Sequence, residues 1–236
     1  MFYDFHIHTC LSPCGDADMT PNNVVNMSLI KGLDVIAVTD HNACGNAEAA
    51  MQVGKEAGLL VLPGMEIETC EEVHVVALFE TLDACREMEV VVQQALPPIQ
   101  NKPEIFGEQW ILNAEDDCIA EESRMLVTAC SLSVYDVVAQ VHKLGGVVIA
   151  AHVDKSAYSV ISNLGFLPAD LSFDAAELSK NAEGKGWSDT DERLCGLKTI
   201  HSSDAHYLGD INEPMHVLEV ETKEISSVLE AIRKKG

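Results

Sequence analysis

The sequence predicts an α/β fold, arranged as a distorted seven-stranded (β/α) barrel of the TIM-like type. Runs rich in Val, Ile and Phe alternate with stretches of helical character along most of the chain. One run, LDVIAVT at 33–39, is apolar almost throughout, as expected of a parallel strand buried on both faces. The 236 residues are 47% hydrophobic and 22% charged, so the chain can bury a core of the size that such a barrel needs.

The order of the elements follows from local signals. A helix is predicted from Thr20-Pro21 to Gly32, because Thr favours the N-cap, Pro the first helical position and Gly the end. Only the turn around Cys70–Glu72 separates two predicted strands, so that pair is predicted to be antiparallel. The other predicted helices are 46–57, 83–94, 133–144, 156–164 and 224–235, and the other strands are 2–8, 59–68, 73–79, 146–152, 173–178, 198–203 and 216–220.

The domain organisation is predicted to be simple. Regular periodicity stops at Pro97-Pro98 and resumes near residue 131, and the stretch between is polar, acidic and aperiodic apart from a short QWILN segment. We interpret 97–130 as an irregular excursion or cap within one barrel domain that covers 1–236, and not as a second domain.

The charge balance argues against two classes of partner. Acidic residues number 38 against 15 basic ones, which gives a net charge of −23. Because phosphate neutralisation needs many Lys and Arg, the composition predicts no extended nucleic acid and no membrane-surface role. No apolar run approaches the ~18 residues that span a bilayer, and the N-terminal MFYDFHIHTC lacks the order of a signal peptide. These observations predict a cytoplasmic protein and leave its oligomeric state open.

The eight cysteines are scattered, without a C-x-x-C pair. In a long chain without an export signal, this distribution predicts reduced thiols and no disulfide framework. The closest pair, Cys10 and Cys14 in CLSPC, could be redox-active or could ligate a metal, and we interpret both residues as thiols in a loop.

Nine His, Asp and Glu residues fall at predicted strand ends or in the loops that follow. His6 and His8 are two apart, and the period of a strand places both side chains on one face. The carboxyl ends of parallel strands meet at one rim of a barrel, where active sites of such folds lie. Imidazoles and carboxylates gathered there without a cation would be costly to bury. The sequence therefore predicts a metal site made of His6, His8, Asp16, His41, Glu66, His74, His152, Asp204 and His206.

Five segments carry these residues in order: FHIHT, TDHN, PGMEIE with EVHVVAL, AAHVD and SSDAH. Together they resemble the motifs of the PHP (polymerase and histidinol phosphatase) superfamily. The resemblance extends from residue 4 to about 206, with 97–130 unassigned. It implies a distorted seven-stranded barrel, three divalent ions and the activity of a metal-dependent phosphoesterase.

The same resemblance implies a role for each matching position. It assigns the first ion to His6, His8, Glu66 and Asp204, the second to Glu66, His74 and His152, and the third to Asp16, His41 and His206. In the implied reaction, His8, Glu66 and Asp204 act through a metal-bound water, whose hydroxide attacks phosphorus. The mixed imidazole and carboxylate ligand set suits zinc, manganese or iron.

A small phosphate ester is the predicted substrate, either a phosphorylated metabolite or a short nucleotide. Three divalent ions against the carboxylates of Asp16, Glu66 and Asp204 leave a local charge of about +3. Such a charge favours a compact dianion. Lys155 and Lys180 follow strand ends on the same rim and are the predicted substrate-binding residues, although a solvated surface lysine would look the same in sequence.

Three alternatives stay open. Histidinol-phosphate phosphatase activity would use the same centre. An amidohydrolase also opens with H-x-H in its first strand, but it needs a carboxylated lysine or an equivalent bridging group where this chain has Glu66. A non-catalytic PHP-like module would be expected to lose ligands, whereas this chain has all nine. An open, water-bearing site would favour catalysis over that last alternative.

Overall fold

A computed structural model describes residues 1–234 of the chain. Over that range the backbone forms nine strands, seven α-helices and three short 3₁₀ helices. The strands are β1 (Tyr3–Ile7), β2 (Val35–Val38), β3 (Leu60–Glu68), β4 (His74–Leu78), β5 (Trp110–Leu112), β6 (Cys118–Glu121), β7 (Val147–Ala150), β8 (Ala175–Leu178) and β9 (Lys198–His201). The α-helices are α1 (Pro21–Ile30), α2 (Ala47–Ala57), α3 (Leu82–Ala95), α4 (Pro103–Phe106), α5 (Val134–Lys143), α6 (Val160–Leu164) and α7 (Ile225–Arg233).

Seven strands form one curved sheet in the order β1-β2-β3-β4-β7-β8-β9. All neighbours are parallel except β4, which runs antiparallel to both β3 and β7, as the short turn before it predicts. The sheet nearly closes where the segment after β9 meets β1. There the His8 amide donates to the Ala205 carbonyl at 3.0 Å, and the Ala205 amide donates to the His6 carbonyl at 3.2 Å. The predicted distorted (β/α) barrel is confirmed.

The barrel is sealed at one end and polar at the other. Phe5, Leu62 and Ile149 pack inside it with Val228 and Ile232 of α7, and the same cluster includes the first residues of several strands. Helix α7 therefore closes the amino end of the barrel, where buried apolar area supplies stability. The carboxyl ends of the strands are left for side chains that carry chemistry.

The predicted cap at Thr20 is present, and a second helix is capped as well. The Thr20 hydroxyl accepts a hydrogen bond from the Asn23 amide, and Pro21 is the first residue of α1. Ser133 and Asp136 form a reciprocal capping box at the start of α5. These caps satisfy amides that have no partner inside the helix.

Three predicted elements differ from the structure. Residues 216–220 do not form a strand, because only Val217 pairs, in a single antiparallel bridge with Phe2, while Leu218 turns into the core under α7. The helix predicted at 156–164 is confined to α6, since the chain follows a series of turns from 151 to 158. Helix α7 ends at Arg233, and Lys235, the last residue of the predicted helix, lies outside the described residues.

The 97–130 segment contains α4 and a two-stranded antiparallel ribbon of β5 and β6. It is hydrogen-bonded to the loops after β1 and β2: the Trp110 amide donates to the Cys10 carbonyl at 3.1 Å, and the Asn42 side chain donates to the Leu126 carbonyl at 2.7 Å. The segment therefore holds two loops that lie at the carboxyl rim. That 1–236 folds as one domain stays a prediction.

All eight cysteines are free, as the spacing predicts. Among the helices of residues 1–234, none combines the length and the apolar character that crossing a bilayer requires.

Candidate metal centre

The Glu66 carboxylate is the meeting point of the carboxyl rim. It lies at the end region of β3, and the residue is only 1% exposed. Five imidazoles from four other parts of the barrel approach its two oxygens. The distances are 2.8 Å from His74 Nδ1, 3.1 Å from His152 Nε2 and 3.3 Å from His6 Nε2 to Oε1, and 3.0 Å from His41 Nδ1 and 3.5 Å from His8 Nε2 to Oε2.

The backbone around His41 explains how two of these groups meet. Beyond β2, the pairing with β3 continues as an isolated parallel bridge between His41 and Glu66. The Asn42 amide donates to the Glu66 carbonyl at 2.8 Å, and the Glu66 amide donates to the Asp40 carbonyl at 3.0 Å. The TDHN motif is thus held against β3 by main-chain hydrogen bonds, which fix the position of the His41 ring.

Strand β1 delivers two ligands from one short segment. Its register against β2 shifts between Asp4 and Ile7, which is a bulge-like irregularity. Ile7 packs outward against Val24 and Val25 of α1, while His6 and His8 both reach the centre, as the period of two predicts.

Hydrogen bonds behind the first two imidazoles determine which ring nitrogens face the centre. His6 Nδ1 lies 3.0 Å from both carboxylate oxygens of Glu177, which can only accept. His8 Nδ1 lies 3.0 Å from the Ser12 hydroxyl, and that hydroxyl donates its own proton to Asp40 at 2.7 Å. Both Nδ1 atoms are therefore donors, and Nε2 is the ring nitrogen that faces the centre in each case.

The ring nitrogens and carboxylates lie close together at the centre. The Nε2 atoms of His6 and His8 are 3.2 Å apart, and Asp204 Oδ1 lies 3.4 Å from the first and 3.2 Å from the second. Lone pairs and carboxylates at these distances need a shared cation, or extra protons, to be stable in a buried site. Within residues 1–234, His152 Nδ1 is also buried without a hydrogen-bond partner, and His41 Nδ1 and Glu66 Oε2, although 3.0 Å apart, are not aligned for a hydrogen bond and have no other partner. The residues therefore fit a metal centre.

Three groups of side chains have ligand atoms close enough to share an ion, within 4.8 Å of one another in each group. The first group matches the first predicted ion in full, and the others share members with the second and third. They are His6, His8, Glu66 and Asp204; His41, Glu66 and His74; and His8, His41 and His206.

Several groups of the cluster are ionised in forms that suit metal binding. For His6 and His41, burial lowers the pKa, but nearby carboxylates outweigh it and raise the pKa well above the usual value, so these two rings release protons when an ion binds. Burial raises the pKa of Glu66, but His74 and His6 outweigh it and hold that pKa well below its usual value. Burial likewise raises the pKa of Asp204, and His6 and a hydrogen bond from His8 reverse the effect. Burial lowers the pKa of His8, and the nearby imidazoles lower it further. Ionised carboxylates and a neutral imidazole are the forms that bind metal.

Three residues at the centre have left-handed backbones although they carry side chains. Their φ angles are 28° for His152, 58° for Tyr158 and 52° for Asp204. Such conformations cost about 1–3 kcal/mol each and persist where the surroundings enforce them, often at functional sites. The two predicted ligands among them are therefore held in place by the fold and not by local preference.

A cavity of about 380 Å³ opens above the cluster; we refer to it as the centre cavity. Lys155 lies at its wall and forms an ion pair with Asp204. The Tyr158 ring stacks on His74, with 4.9 Å between ring centroids. The wall also includes Val127 of the 97–130 segment, together with Cys14 and Glu68.

Two of the predicted site residues do not join the cluster. The Asp16 carboxylate accepts a hydrogen bond from the Asp18 amide at 2.9 Å, and it is in none of the three ligand groups. Lys180 donates to the Asp210 carbonyl and lines a separate cavity of about 450 Å³ beside Trp187. Both lie in loops whose path the strand pattern did not determine.

The sequence analysis missed three polar contributors. Glu177 is a charged residue within the apolar run FDAAEL, and that contrast was the signal for a buried role. Glu68 follows Glu66 by two residues on the same strand, so the strand period places both side chains on one face. Cys14 was considered as a metal ligand and set aside. Burial raises the pKa of the Cys14 thiol, but hydrogen bonds with His206 and His41 lower that pKa to about 6.

Replacing Glu177 with glutamine is expected to weaken metal binding by about 10–100-fold, the usual effect of losing a carboxylate behind a histidine ligand. Glutamine can accept from His6 Nδ1, but it no longer supplies the negative charge that makes Nε2 more basic. Competition with a chromophoric chelator measures the affinity. The exposed Glu183, on the loop after β8, provides the matched control as Glu183→Gln. Equal affinities for the two variants would show that the contact with His6 does not support a metal ligand.

The sequence profile of the PHP domain matches residues 4–143, which is more than half of the chain. The chain belongs to the PHP domain family. This confirms the family predicted from the five motifs.

Relatives of this PHP protein by sequence cover only part of it. An uncharacterized protein of Methanocaldococcus jannaschii is 34% identical over 84 residues, which is 32% of this chain and 48% of that protein. A 5'-3' exoribonuclease of Haemophilus influenzae is 32% identical over 79 residues, which is 32% of this chain and 28% of the exoribonuclease. The matches thus span about half or less of these curated relatives.

Solved structures share the fold over nearly the whole chain. The lesion-specific endonuclease Q of Pyrococcus furiosus aligns with a TM-score of 0.69 at 18% identity, over 98% of this PHP protein and 55% of that chain. A protein of Bifidobacterium adolescentis described as a metal-dependent phosphoesterase aligns with a TM-score of 0.63 at 21% identity. The alignment covers 98% of this chain and 95% of that chain. At these identities the likeness concerns the fold. The predicted enzyme class, a hydrolase of phosphoric ester bonds, is confirmed at the level of the family and its relatives.

The composition of the chain predicts no extended nucleic acid, and the relatives contradict that prediction. Endonuclease Q has been solved in complex with a 27-mer duplex, and at 18% identity it shares the fold with a TM-score of 0.68 over 98% of this chain and 56% of that chain. A relative by sequence is an exoribonuclease. Net charge is a sum over the whole chain, whereas phosphate binding depends on the local field at the site. The prediction of no extended nucleic acid from a charge of −23 is therefore wrong.

Proposed function

We propose that this PHP protein is a metal-dependent phosphoesterase that cleaves the phosphate ester of a nucleotide, either free or at the end of a nucleic acid chain. One observation carries the proposal: a buried carboxylate, Glu66, with five imidazoles around it forms the floor of the open centre cavity. Such a cluster binds cations, and the cavity leaves room beside them for a phosphate group. A saturated structural metal site would have no such opening.

The proposed metal positions are those of the three ligand groups, and His152 joins the second through its contact with Glu66. The imidazole and carboxylate donors suit zinc, manganese or iron. When bound, divalent ions supply Lewis-acid charge at the phosphate and lower the pKa of a bound water. Glu66 and Asp204 hold those ions, and Glu177 and Ser12 orient His6 and His8 toward them.

Lys155 is proposed to bind the substrate phosphate. Its ammonium is paired with Asp204 at the wall of the centre cavity, and its side chain is 38% exposed. Burial lowers the pKa of Lys155, but Asp204 outweighs it and raises that pKa, so the group stays charged. Bound ions would take over Asp204, which frees Lys155 to donate to a phosphate oxygen. Tyr158, stacked on His74 and half exposed, offers an aromatic surface at the same opening.

The size of the cavity and the relatives support a nucleotide. A volume of about 380 Å³ accommodates one small ligand and not the width of a duplex. An extended chain would therefore present its end, or one displaced nucleotide, to the cluster. The 5'-3' exoribonuclease among the relatives is consistent with cleavage at an end. The cationic field of bound ions, surrounded by an acidic chain, would select the phosphate locally.

The alternative activities have weaker support. Nothing in the centre cavity favours histidinol phosphate over another compact phosphate ester. An amidohydrolase would need a lysine or an equivalent group bridging the ions, and here Glu66 lies at the centre of the cluster. A non-catalytic module is disfavoured by the open cavity.

The experiment that tests the function measures phosphate and nucleotide release with zinc, manganese or ferrous ion added. The panel contains p-nitrophenyl phosphate, histidinol phosphate, a nucleoside bisphosphate, and single-stranded and duplex oligonucleotides labelled at either end. Metal-stimulated release from the nucleotide substrates is expected. The proposal fails if the protein binds less than one divalent ion, or if it binds metal but cleaves no phosphate ester.

A Lys155→Met variant is expected to lose about 10–100-fold in kcat/KM, as for the loss of one charge-assisted hydrogen bond to phosphate. Metal stoichiometry should be unchanged, because lysine is not a ligand. The matched control is Lys180→Met, since Lys180 contacts the Asp210 carbonyl and lines the other cavity. Equal losses in both variants, or a loss of bound metal in Lys155→Met, would contradict the assigned role.

A further inference from the structure

The loop after β7 brings three different chemical groups to the centre cavity, spaced three residues apart. They are an imidazole, an ammonium and an aromatic ring, supplied by His152, Lys155 and Tyr158. The imidazole contacts the Glu66 carboxylate, and the ammonium is paired with Asp204. The proposed function gives these two groups a role at the metal ions and at the phosphate. The aromatic ring lies at the same opening without an assigned ligand.

Hydrogen bonds hold this loop in one conformation. The Lys155 amide donates to the His152 carbonyl at 2.9 Å, and the Ser159 hydroxyl donates to the Lys155 carbonyl at 3.0 Å. The Tyr158 carbonyl accepts a hydrogen bond from the His74 amide at 2.9 Å, which joins the loop to β4. The fold therefore fixes the position of the tyrosine relative to the phosphate-binding lysine.

The Tyr158 ring is held at the cavity wall against the local preference of its backbone. A φ of 58° is an outlier for a residue with a bulky side chain, and such a conformation persists where the surroundings enforce it. One face of the ring stacks on His74, with 4.9 Å between the ring centroids and 29° between the ring planes. The residue is nevertheless 48% exposed, so the ring keeps surface that a ligand in the cavity can cover.

An open aromatic surface beside a phosphate site suits a ligand that joins a flat ring to a phosphate. A nucleotide has both parts, and the π face of any base can stack on an aromatic side chain. A sugar phosphate has only the anionic part, so it gains the contact with Lys155 and leaves the tyrosine uncovered. The ring therefore provides a means of separating nucleotides from other compact phosphate esters.

We infer that Tyr158 is the stacking platform for the base of the nucleotide whose phosphate ester is cleaved. This inference rests on the proposed function and deepens it, because it names the residue that distinguishes a nucleotide from an ester without a flat ring. Stacking depends on the π face, which every base has, so little preference among the four bases is expected. The hydroxyl of the tyrosine has no part in this role.

Two substrates that carry the same ester isolate the contribution of the base. Adenosine 5'-monophosphate and ribose 5-phosphate both have a phosphate on the 5' carbon of the ribose, and only the first has a base. Single-stranded oligonucleotides with an intact or an abasic terminal nucleotide form a second matched pair. Steady-state hydrolysis of each pair is measured with metal-loaded wild type, Tyr158→Ala and Tyr158→Phe.

The wild type is expected to prefer the substrate with the base in each pair. Tyr158→Ala should lose about 5–150-fold in kcat/KM on that substrate, mainly through KM, as for the loss of one base–aromatic stack. It should hydrolyse the substrate without the base as the wild type does. Tyr158→Phe keeps the ring and should resemble the wild type on both. Metal content should be the same in all three proteins, because the ring stacks on His74 without being a ligand.

Tyr135→Ala is the matched control. Tyr135 lies on α5, is 45% exposed and donates from its hydroxyl to Asp170 at 3.0 Å, so its loss should not change the preference for a base. Equal losses on both substrates of a pair in Tyr158→Ala would mean that the ring only supports His74. A loss in Tyr158→Phe would assign the role to the hydroxyl. Either result, or a wild type without preference for the base, overturns the inference.

Direct binding separates this inference from the proposed function. If the metal-loaded protein cleaves no phosphate ester, the proposed function fails, and calorimetric titration with adenosine 5'-monophosphate and ribose 5-phosphate takes the place of turnover. Tighter binding of the nucleotide that is lost in Tyr158→Ala and kept in Tyr158→Phe supports the platform. Equal affinities for the two ligands, or no binding of the nucleotide, overturn it.

Discussion

A Glu66→Gln variant is expected to lose metal binding and phosphate ester hydrolysis together. Its metal affinity should fall by more than about 100-fold, because a loss of that size is already the maximum typical for residues that contact a metal ligand and not the ion itself. The substitution keeps size and shape but removes the charge that five imidazoles approach within 3.5 Å. An amide also turns one oxygen into a donor, so it cannot serve two ions. Metal content of the purified protein and turnover at saturating metal measure the effect.

Glu68→Gln is the matched control for that experiment. Glu68 lies two residues along the same strand, and its carboxylate is 4.0 Å from His74 Nε2, which places it at the wall of the centre cavity. The same chemical change there should leave metal content intact. If the Glu66 variant retained both metal and turnover, the proposed centre would be wrong. If both variants lost metal equally, general destabilisation of β3 would be the better explanation.

Removing metal is expected to lower the melting temperature by about 10 °C for each tightly bound ion. An ion at a thousandfold excess over its Kd adds about 4 kcal/mol to the free energy of unfolding. For a chain of 236 residues, each kcal/mol corresponds to about 2–4 °C in Tm. The physical reason is that the ion satisfies acceptors that otherwise face one another at 3.2 Å. Thermal unfolding with a chelator, and again after metal is restored, measures the shift.

The controls for this shift are internal. Glu66→Gln should show a much smaller shift on adding metal, because the two ligand groups that contain Glu66 no longer bind an ion. Glu183→Gln, a change at an exposed site, should show the full shift. A wild-type Tm that does not respond to chelation or to metal would mean that the cluster is stabilised by protons alone.

Much of the fold could be predicted because its signals are local. The cap at Thr20 and the short turn before β4 are predicted from neighbouring residues, and the structure has both. The prediction of a strand at 216–220 was wrong because strand pairing depends on residues far away in the sequence. Whether an apolar run forms a ladder depends on a partner elsewhere, and here only Val217 pairs, with Phe2.

The candidate site shows the same division. His6, His8 and Glu66 could be predicted to share a rim, because strand period and the direction of parallel strands are enough for that step. The contact between His6 and Glu177 spans 171 residues, and nothing near either residue indicated the pair. The prediction about nucleic acid failed for a similar reason, since the net charge of the whole chain does not determine the local charge at one rim of the barrel.

The sequence by itself determined which chemical groups stand at the strand ends, and from them the family and the class of metal ligand, because strand order and period constrain those positions. Only the tertiary structure decided which loop side chains complete the centre. It turned Asp16 toward Asp18, placed Cys14 at the wall of the centre cavity, and paired Lys155, not Lys180, with Asp204. The physical reason is that loop paths follow from long-range main-chain hydrogen bonds and close packing, such as the turn at Gly15, which no local pattern encodes.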